Sequence, residues 1–282
     1  MKIIAASDFH IGNLHDDKIS MDDEERKAYK NRHYEMIGEF VERMKINEKP
    51  NLIVLCGDIF DLWRFDYKGF IDEDELEDFL KNEDDRELIR GAIKNIKDLI
   101  NAFPTVYIWG NHDCTVEKRI ILPVMYTDRF KIERIYFCHG WRFDIVQRIF
   151  SFIFGWMANW FNGVFKLMNR NTVGQRKNKI AKLELEIKKL KDKKQPTGDM
   201  QKELKSEEDK YGLNRQNTHR RARNFLKKRK NNVKYLIMGH THCPDDTDGL
   251  FDCGDMINSF KYVRIVDGEP ELISMLDGVD EE

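Results

Sequence analysis

The chain has 282 residues, of which 41% are hydrophobic and 35% charged, and its formal net charge is −2. This length allows one large α/β domain with an insertion, and such a domain needs no disulfides to stabilise its core. The five cysteines are odd in number and form no CxxC pair, which disfavours a disulfide framework and predicts a reducing, cytoplasmic compartment. The N-terminal segment lacks the apolar core of a secretory signal.

Short apolar runs along the chain predict buried strands. These runs are Lys2–Ala6, Leu52–Cys56, Thr105–Trp109, Arg134–Cys138 and Lys234–Met238. Each run ends in a polar cluster, and the carboxyl ends of strands in an open α/β sheet face one crevice. We therefore expect five separate segments to converge on one site.

Amphipathic helices are predicted between the strands, over Met21–Arg43 and Glu73–Ile100, where they would cover the sheet. At the C-terminus, two apolar runs flank Asp267-Gly268, a dipeptide typical of a tight β-turn. Tyr262–Val266 and Glu271–Met275 are therefore predicted to form a hairpin.

The polar clusters supply the candidate metal ligands. They are Asp8, His10, Asp58, Asn111, His139, His240 and His242. Any one of these residues alone would more often be a turn, cap or core residue, but their occurrence at five strand ends favours a shared site. All donors are N or O atoms, so we expect Mn²⁺ first, with Fe, Zn, Ni or Co as alternatives.

Two neighbouring cations need a bridging oxygen ligand and nitrogen or oxygen donors on each side. We expect Asp58 to bridge, because one carboxylate can serve two ions. The predicted donors for the first ion are Asp8, His10 and His242, and for the second ion Asn111, His139 and His240. Such a pair of ions activates water for attack on phosphorus. His112 is the predicted proton donor to the leaving oxygen, and Asp113 is predicted to orient its ring.

These motifs, D-x-H, G-D-x-x-D, G-N-H-D, H-G and G-H-x-H, occur in this order between Asp8 and His242. The chain thereby resembles the calcineurin-like metallophosphoesterase superfamily. The resemblance implies an α/β fold, a four-layer α-β-β-α sandwich with the dinuclear site at one edge, in place of the open sheet that periodicity alone suggests. It implies the same ligand roles.

Within that superfamily the chain is similar to the UDP-2,3-diacylglucosamine pyrophosphatase group. The resemblance rests on Gly57–Arg64, His139–Asp144 and Cys253–Phe260. It implies cleavage of a lipid-linked nucleotide to UMP and a lipid phosphate, as in lipid A biosynthesis. Trp141 departs from the group, in which Asp is usual after His-Gly, and the region Lys177–Tyr211 is expanded, so the substrate stays open.

An apolar segment, Ile149–Phe165, consists of seventeen uncharged residues, seven of which are aromatic. It is shorter than the roughly 20 residues of a membrane-spanning helix and contains Gly and Asn. A buried cap helix, an acyl-chain pocket or membrane-facing cap, and a protein interface are the three interpretations. The resemblance favours the lipid interpretation, because an insertion here caps the site in such enzymes.

A basic region follows, in which Lys166–Lys230 carries 22 Lys and Arg against 8 Asp and Glu. Helical spacing from Ile180 to Leu190, a turn at Gln195–Gly198 and a further apolar stripe to Tyr211 predict a helical hairpin, which leaves the oligomeric state open. The residues 220–230 are strongly basic. They would form a solvated helix face, bind anionic headgroups or substrate phosphates, or bind nucleic acid.

The predicted domains are a catalytic domain of residues 1–144 and 231–276, a helical cap insertion of residues 145–230, and an acidic tail of residues 277–282. The predicted protein is a phosphoesterase or pyrophosphatase that contacts the inner membrane face peripherally through residues 149–165 and 220–230. The alternatives are a phosphodiesterase or nuclease acting on nucleic acid or cyclic nucleotides, and a non-enzymatic membrane-binding or assembly protein with a vestigial metal site.

Overall fold

The structure of the protein is a computed structural model. The residues it describes are 1–12, 23–61, 86–113, 122–144, 183, 187, 198–229 and 232–277. The apolar segment Ile149–Phe165, the first arm of the predicted helical hairpin apart from Leu183 and Ile187, and residues 278–282 of the acidic tail lie outside this description.

Within the described ranges, ten strands form two mixed sheets. In chain order they are β1 Lys2–Ala6, β2 Leu52–Cys56, β3 Thr105–Ile108, β4 Met125–Thr127, β5 Arg129–Ile132, β6 Ile135–Cys138, β7 Tyr235–Met238, β8 Leu250–Asp252, β9 Lys261–Val266 and β10 Glu269–Ser274. The first sheet has the order β10-β9-β1-β2-β3-β4 and the second β5-β6-β7-β8. Strands β1 to β4 run parallel, as do β6 to β8, so their carboxyl ends share one edge within each sheet.

Three long helices accompany the sheets in the described part of the chain. They are α1 Asp23–Arg43, which continues into a π-helical turn at Met44–Glu48, α2 Arg86–Ala102, and α3 Gly198–Arg229. None of the helices in these described ranges is both long and apolar enough to cross a membrane.

The two faces of β1 show how the layers form, because successive side chains of a strand point to opposite sides. Ile3 and Ala5 join an apolar cluster that also contains Phe137 of β6 and Ile237 of β7, so this cluster fills the space between the sheets. Ile4 and Ala6 join a second cluster, which includes side chains of α1 and α2. The sequence-based prediction of an α-β-β-α sandwich is confirmed.

The fourth layer is the C-terminal part of α3. Its side chains Ala222 and Leu226 pack with Leu236, Met238 and other residues on the outer face of the second sheet. These helix residues fall inside the insertion predicted over residues 145–230. The chain divides into two compact units, one of residues 1–13, 31–143 and 219–282 and the other of residues 14–30 and 144–218, and α3 from His219 onwards belongs to the first.

Candidate metal centre

All seven predicted ligands lie directly after a strand of the first compact unit. Asp8 and His10 follow β1, Asp58 follows β2, and the other four follow β3, β6 and β7 in the same way. Three sets of side chains in the described residues come close enough to hold a cation, and within each set the donor atoms lie within 4.8 Å of one another. Two of these sets consist of predicted ligands.

The first set contains Asp8, His10 and His242. The Nε2 atoms of the two histidines lie 3.2 Å apart, and Oδ1 of Asp8 lies 3.6 Å from Nε2 of His10 and 3.4 Å from Nε2 of His242. Donors about 2.0–2.2 Å from a shared cation are about 3.0–3.5 Å from one another in tetrahedral or octahedral coordination. The set therefore fits one ion, and the buried Oδ1 of Asp8 accepts no hydrogen bond from the described residues.

The second set contains Asp58, His139 and His240. Nε2 of His139 lies 3.2 Å from Oδ2 of Asp58 and 3.2 Å from Oδ1 of Asn111, so Asn111 adjoins this set. Nδ1 of His139 donates to the carbonyl of Cys56 at 2.7 Å, which fixes the ring and leaves Nε2 as the donor atom for a cation.

Unusual backbone conformations bring these side chains together. Asp8, His10, Asp58, His240 and His242 all have positive φ, a region that residues with a Cβ rarely adopt. Hydrogen bonds between the turns hold them there, including the His240 N–H to Oδ2 of Asp8 at 2.8 Å and the His10 N–H to the Asp58 carbonyl at 2.9 Å.

Two glycines allow the turns to approach the carboxylates closely. A Cβ at Gly110 would collide with the Asp58 carboxylate, and a Cβ at Gly239 would collide with Ser7 and the Asp8 carboxylate. The glycines in the motifs therefore make room for the ligands themselves.

The centre has the electrostatic character of a cation site. Burial favours the neutral form of the His10 ring, but the adjacent carboxylates of Asp61 and Asp8 raise the pKa of His10 to about 10. Burial also favours the neutral form of the His139 ring, but the Asp58 carboxylate outweighs burial and raises the pKa of His139 to about 9. A field that holds protons on buried imidazoles also stabilises a metal cation. The clusters are thus consistent with a dinuclear metal site.

The third set contains His10, Asp61 and His112. Nδ1 of His112 is 2.7 Å from Oδ1 of Asp61, and the side chain of His112 is 23% exposed, so its ring is accessible from solvent. Burial alone would raise the pKa of Asp61, but the nearby rings of His112 and His10, together with the hydrogen bond from His112, lower it well below its ordinary value.

Asp113, which we predicted would orient the His112 ring, makes different contacts. Its carboxylate accepts hydrogen bonds from the Ile59 N–H at 2.8 Å, the Tyr107 hydroxyl at 2.6 Å and the Gly110 N–H at 2.7 Å. This corrects the prediction, because these three donors bind both oxygens of Asp113 within the turn and Asp61 occupies the place beside His112.

Two carboxylates of the centre were not predicted as site residues. Asp61 is the last residue of G-D-x-x-D, whose spacing could have indicated it. Asp255 accepts a hydrogen bond from Nδ1 of His242 at 2.8 Å and from the N–H groups of Asn258 and Ser259. In the sequence, Asp255 stands out only as part of Cys253–Phe260, one of the segments that carry the family resemblance. The hydrogen bond with His242 explains why an acidic residue occupies this position.

A four-layer sandwich with paired carboxylate and histidine clusters where its parallel strands end defines the class of metal-dependent phosphoesterases. A family model described as calcineurin-like phosphoesterase matches residues 1–244, and the chain belongs to this family. None of the curated proteins compared with the chain matches it. Among solved structures, one from Streptococcus pneumoniae TIGR4, described as a conserved uncharacterized protein and predicted phosphoesterase, is similar at 13% identity and a TM-score of 0.34, covering 97% of this chain and 88% of that one.

Proposed function

We propose that the centre binds two divalent cations and hydrolyses the pyrophosphate of a lipid-linked nucleotide of the UDP-2,3-diacylglucosamine type. The observation that carries the metal part is the close approach of two donor sets, Asp8–His10–His242 and Asp58–His139–His240. Asn111 is assigned to the second ion, and Asp58 is assigned as the bridge. Because the donors are oxygen and nitrogen atoms without thiolate, Mn²⁺ is the first candidate, and Fe, Zn, Ni and Co are the alternatives.

When bound, the two cations lower the pKa of a water molecule and offset the negative charge that grows on the phosphoryl group. The protein's own contribution is the proton for the leaving oxygen. Asp61 holds Nδ1 of His112, so Nε2 is the atom that donates this proton. Nε2 lies 3.9 Å from Oδ2 of Asp58, which keeps the donor beside the assigned metal bridge. Protonation of the leaving group by such a residue accelerates reactions by about 10²–10⁴-fold.

The substrate class is supported by the resemblance to the UDP-2,3-diacylglucosamine pyrophosphatase group. Its block Cys253–Phe260 contributes Asp255 to the centre, and its block His139–Asp144 contributes His139. The apolar segment Ile149–Phe165 has the composition expected of a surface for acyl chains. A substrate of this kind would be met at a membrane surface.

The test compares three substrates in the presence of Mn²⁺: UDP-2,3-diacylglucosamine, single-stranded DNA and a bis-aryl phosphodiester. Release of UMP from the first, at a rate well above cleavage of the other two, is expected. Asp58→Asn is the matched control, because it retains the side-chain volume and should abolish hydrolysis in a folded protein. Cleavage of DNA without release of UMP would sink the substrate proposal and favour a nuclease.

A further inference from the structure

Two described histidines, His33 and His219, lie outside the five motifs. Each contacts the middle residue of a pair of proposed ligands. His33, on α1, contacts Phe9, which separates Asp8 from His10, and His219, on α3, contacts Thr241, which separates His240 from His242.

His33 is buried, and its Nε2 donates a hydrogen bond to the Phe9 carbonyl at 2.7 Å. Burial lowers the pKa of His33 to about 4, so the ring is a neutral donor at physiological pH. The adjacent Tyr34 stacks on the ring, and its hydroxyl accepts the Gly12 N–H at 3.4 Å. Helix α1 thus contacts the D-x-H segment at Phe9 and the chain just beyond it at Gly12.

His219 is also buried, and its Nε2 lies 3.0 Å from both Oγ1 of Thr241 and Oδ2 of Asp252. The Thr241 hydroxyl donates to the same Asp252 oxygen at 2.8 Å, which closes a triangle of contacts. Nδ1 of His219 lies 3.0 Å from Oδ2 of Asp245, so carboxylates hold the ring on both sides.

The segments held in this way are the ones with disfavoured backbone geometry. φ is +55° at Asp8 and +48° at His10, and it is +82° at His240 and +55° at His242. Left-handed conformations of residues with a Cβ persist only when the surrounding structure imposes them. A rigid contact on the residue between two such positions supplies that constraint.

We propose that His33 and His219 are positioning residues that hold the two ligand segments in their metal-binding conformation. The inference rests on the proposed metal centre. It assigns distinct effects to the two residues: Phe9 lies between two ligands of the first ion, whereas Thr241 lies between a ligand of the first ion and a ligand of the second. Loss of the His33 contact should weaken one ion, and loss of the Thr241 contact should weaken both.

The experiment measures Mn²⁺ stoichiometry and affinity by equilibrium dialysis for His33→Leu and Thr241→Val, with His33→Gln and Thr241→Ser as matched variants that keep a donor or a hydroxyl. Loss of a contact behind a metal ligand weakens binding by about 10–100-fold. We expect that loss for one of two equivalents in His33→Leu and for both in Thr241→Val, and near wild-type binding in the matched variants. His219→Gln should resemble Thr241→Val more closely than wild type, because Gln cannot reach both Asp245 and Asp252.

Thermal unfolding in EDTA separates this role from general packing. A variant that unfolds as the wild type does and also binds Mn²⁺ with wild-type affinity overturns the positioning role of the contact it removes: Thr241→Val for the His219 contact, and His33→Leu for the His33 contact. If the wild-type protein itself binds no Mn²⁺ or other divalent cation, the proposed function fails instead.

Discussion

At the scale of single residues, the proposed proton donor His112 is oriented by a carboxylate 51 positions away, Asp61, and not by its sequence neighbour Asp113. Replacing His112 with Gln should lower kcat by about 10²–10⁴-fold, because the leaving oxygen loses its proton source. Metal content should stay the same, since His112 is not among the assigned ligands. Steady-state kinetics and elemental analysis on the same preparation check both expectations.

Asp61→Asn and Asp113→Asn distinguish the two aspartates. Asp61→Asn should lower kcat, because the His112 ring loses its charged partner, and combining it with His112→Gln should add little further loss. Asp113→Asn should act on stability instead, by about 1–3 kcal/mol in urea unfolding, because one of three buried donors loses its acceptor. A larger loss of kcat in Asp113→Asn than in Asp61→Asn would contradict the contacts described above.

At the scale of elements, β1 and β2 have the predicted boundaries, and β3, β6 and β7 differ from their predictions by one residue. These strands are buried, so their apolar runs are continuous. The sequence did not predict β4, β5 and β8. β4 and β8 have only three residues, and β4 and β5 are largely exposed or half-buried, so neither length nor apolar pattern distinguishes them from loops.

The predicted ligands could be found from the sequence because each one follows a predicted strand. The residues that support these ligands could not be found in this way. Asp255, His33 and His219 act on the centre only through tertiary contacts that no local pattern contains. His33 lies within a helix, where a single polar residue on a buried face gives no signal of its partner.

The end of α1 offers a test far from the metal centre. Glu48 is 5% exposed and accepts hydrogen bonds from the Tyr262 hydroxyl at 2.8 Å and Lys2 Nζ at 3.3 Å, with Arg264 at 3.4 Å. Burial would raise the pKa of Glu48, but these partners lower it below its ordinary value. A carboxylate with a lowered pKa stabilises the fold above its unfolded pKa, and this stabilisation is lost as pH falls through the folded pKa.

Glu48→Gln should therefore lower the free energy of unfolding by about 1.5–3 kcal/mol at pH 7, and the difference from wild type should shrink below about pH 4. Urea unfolding of the metal-free protein at several pH values measures this. Glu42→Gln on the same helix is the control: its partner Lys45 lies at 3.5 Å and Glu42 is 62% exposed, so a change below about 0.5 kcal/mol is expected. If Glu48→Gln lowers the free energy of unfolding by the same amount at every pH, the lost stability comes from packing and not from the charge of Glu48.

The basic end of α3 lies away from the proposed site. Helix α3 ends at Arg229, and β7 starts at Tyr235 and runs towards His240, while His219 contacts Thr241 at the other end of the strand. From His219 to Arg229 the helix rises about 15 Å, which exceeds a Debye length of about 8 Å at physiological salt.

Changing Lys227, Lys228 and Arg229 together to Gln should therefore leave kcat and KM for a small soluble phosphodiester within about twofold of wild type. Arg220→Gln is the matched comparison, because Arg220 is also exposed but adjoins His219. A large increase in KM in the triple variant would show that these charges hold the substrate phosphate. If the triple variant loses only its binding to anionic vesicles, these three charges act at a membrane surface and not on the substrate phosphate.

A deletion that tests the proposed cap must retain the part of α3 that packs on the second sheet. Ala222 and Leu226 belong to the apolar cluster on the second sheet, so removal of the whole of residues 149–230 would expose that sheet. We propose that the cap ends before His219. Shortened chains that keep α3 from this residue onwards would test substrate selection without removing a core layer.

At the scale of the whole molecule, periodicity could not decide between one open sheet and two packed sheets. A buried strand such as β2 is apolar on both faces in either arrangement, so its sequence does not say whether a helix or a second sheet covers each face. The resemblance of the motifs supplied that choice. In the structure, Val54 and Cys56 pack between the two sheets, whereas Ile53 and Leu55 pack towards the helices.

The same architecture predicts that bound metal stabilises the whole fold. The carboxylates of Asp8 and Asp58 are buried beside histidines, and unfolding gives each of them access to water. An ion that binds only the folded state adds about 2.7 kcal/mol when its free concentration is 100 times its Kd. For a chain of this size that raises Tm by about 5 °C for each ion. Thermal unfolding with Mn²⁺ and with EDTA should show this difference, and Asp58→Asn should show little of it. Equal Tm values for the wild type under both conditions would mean that the two clusters hold no metal in the folded protein.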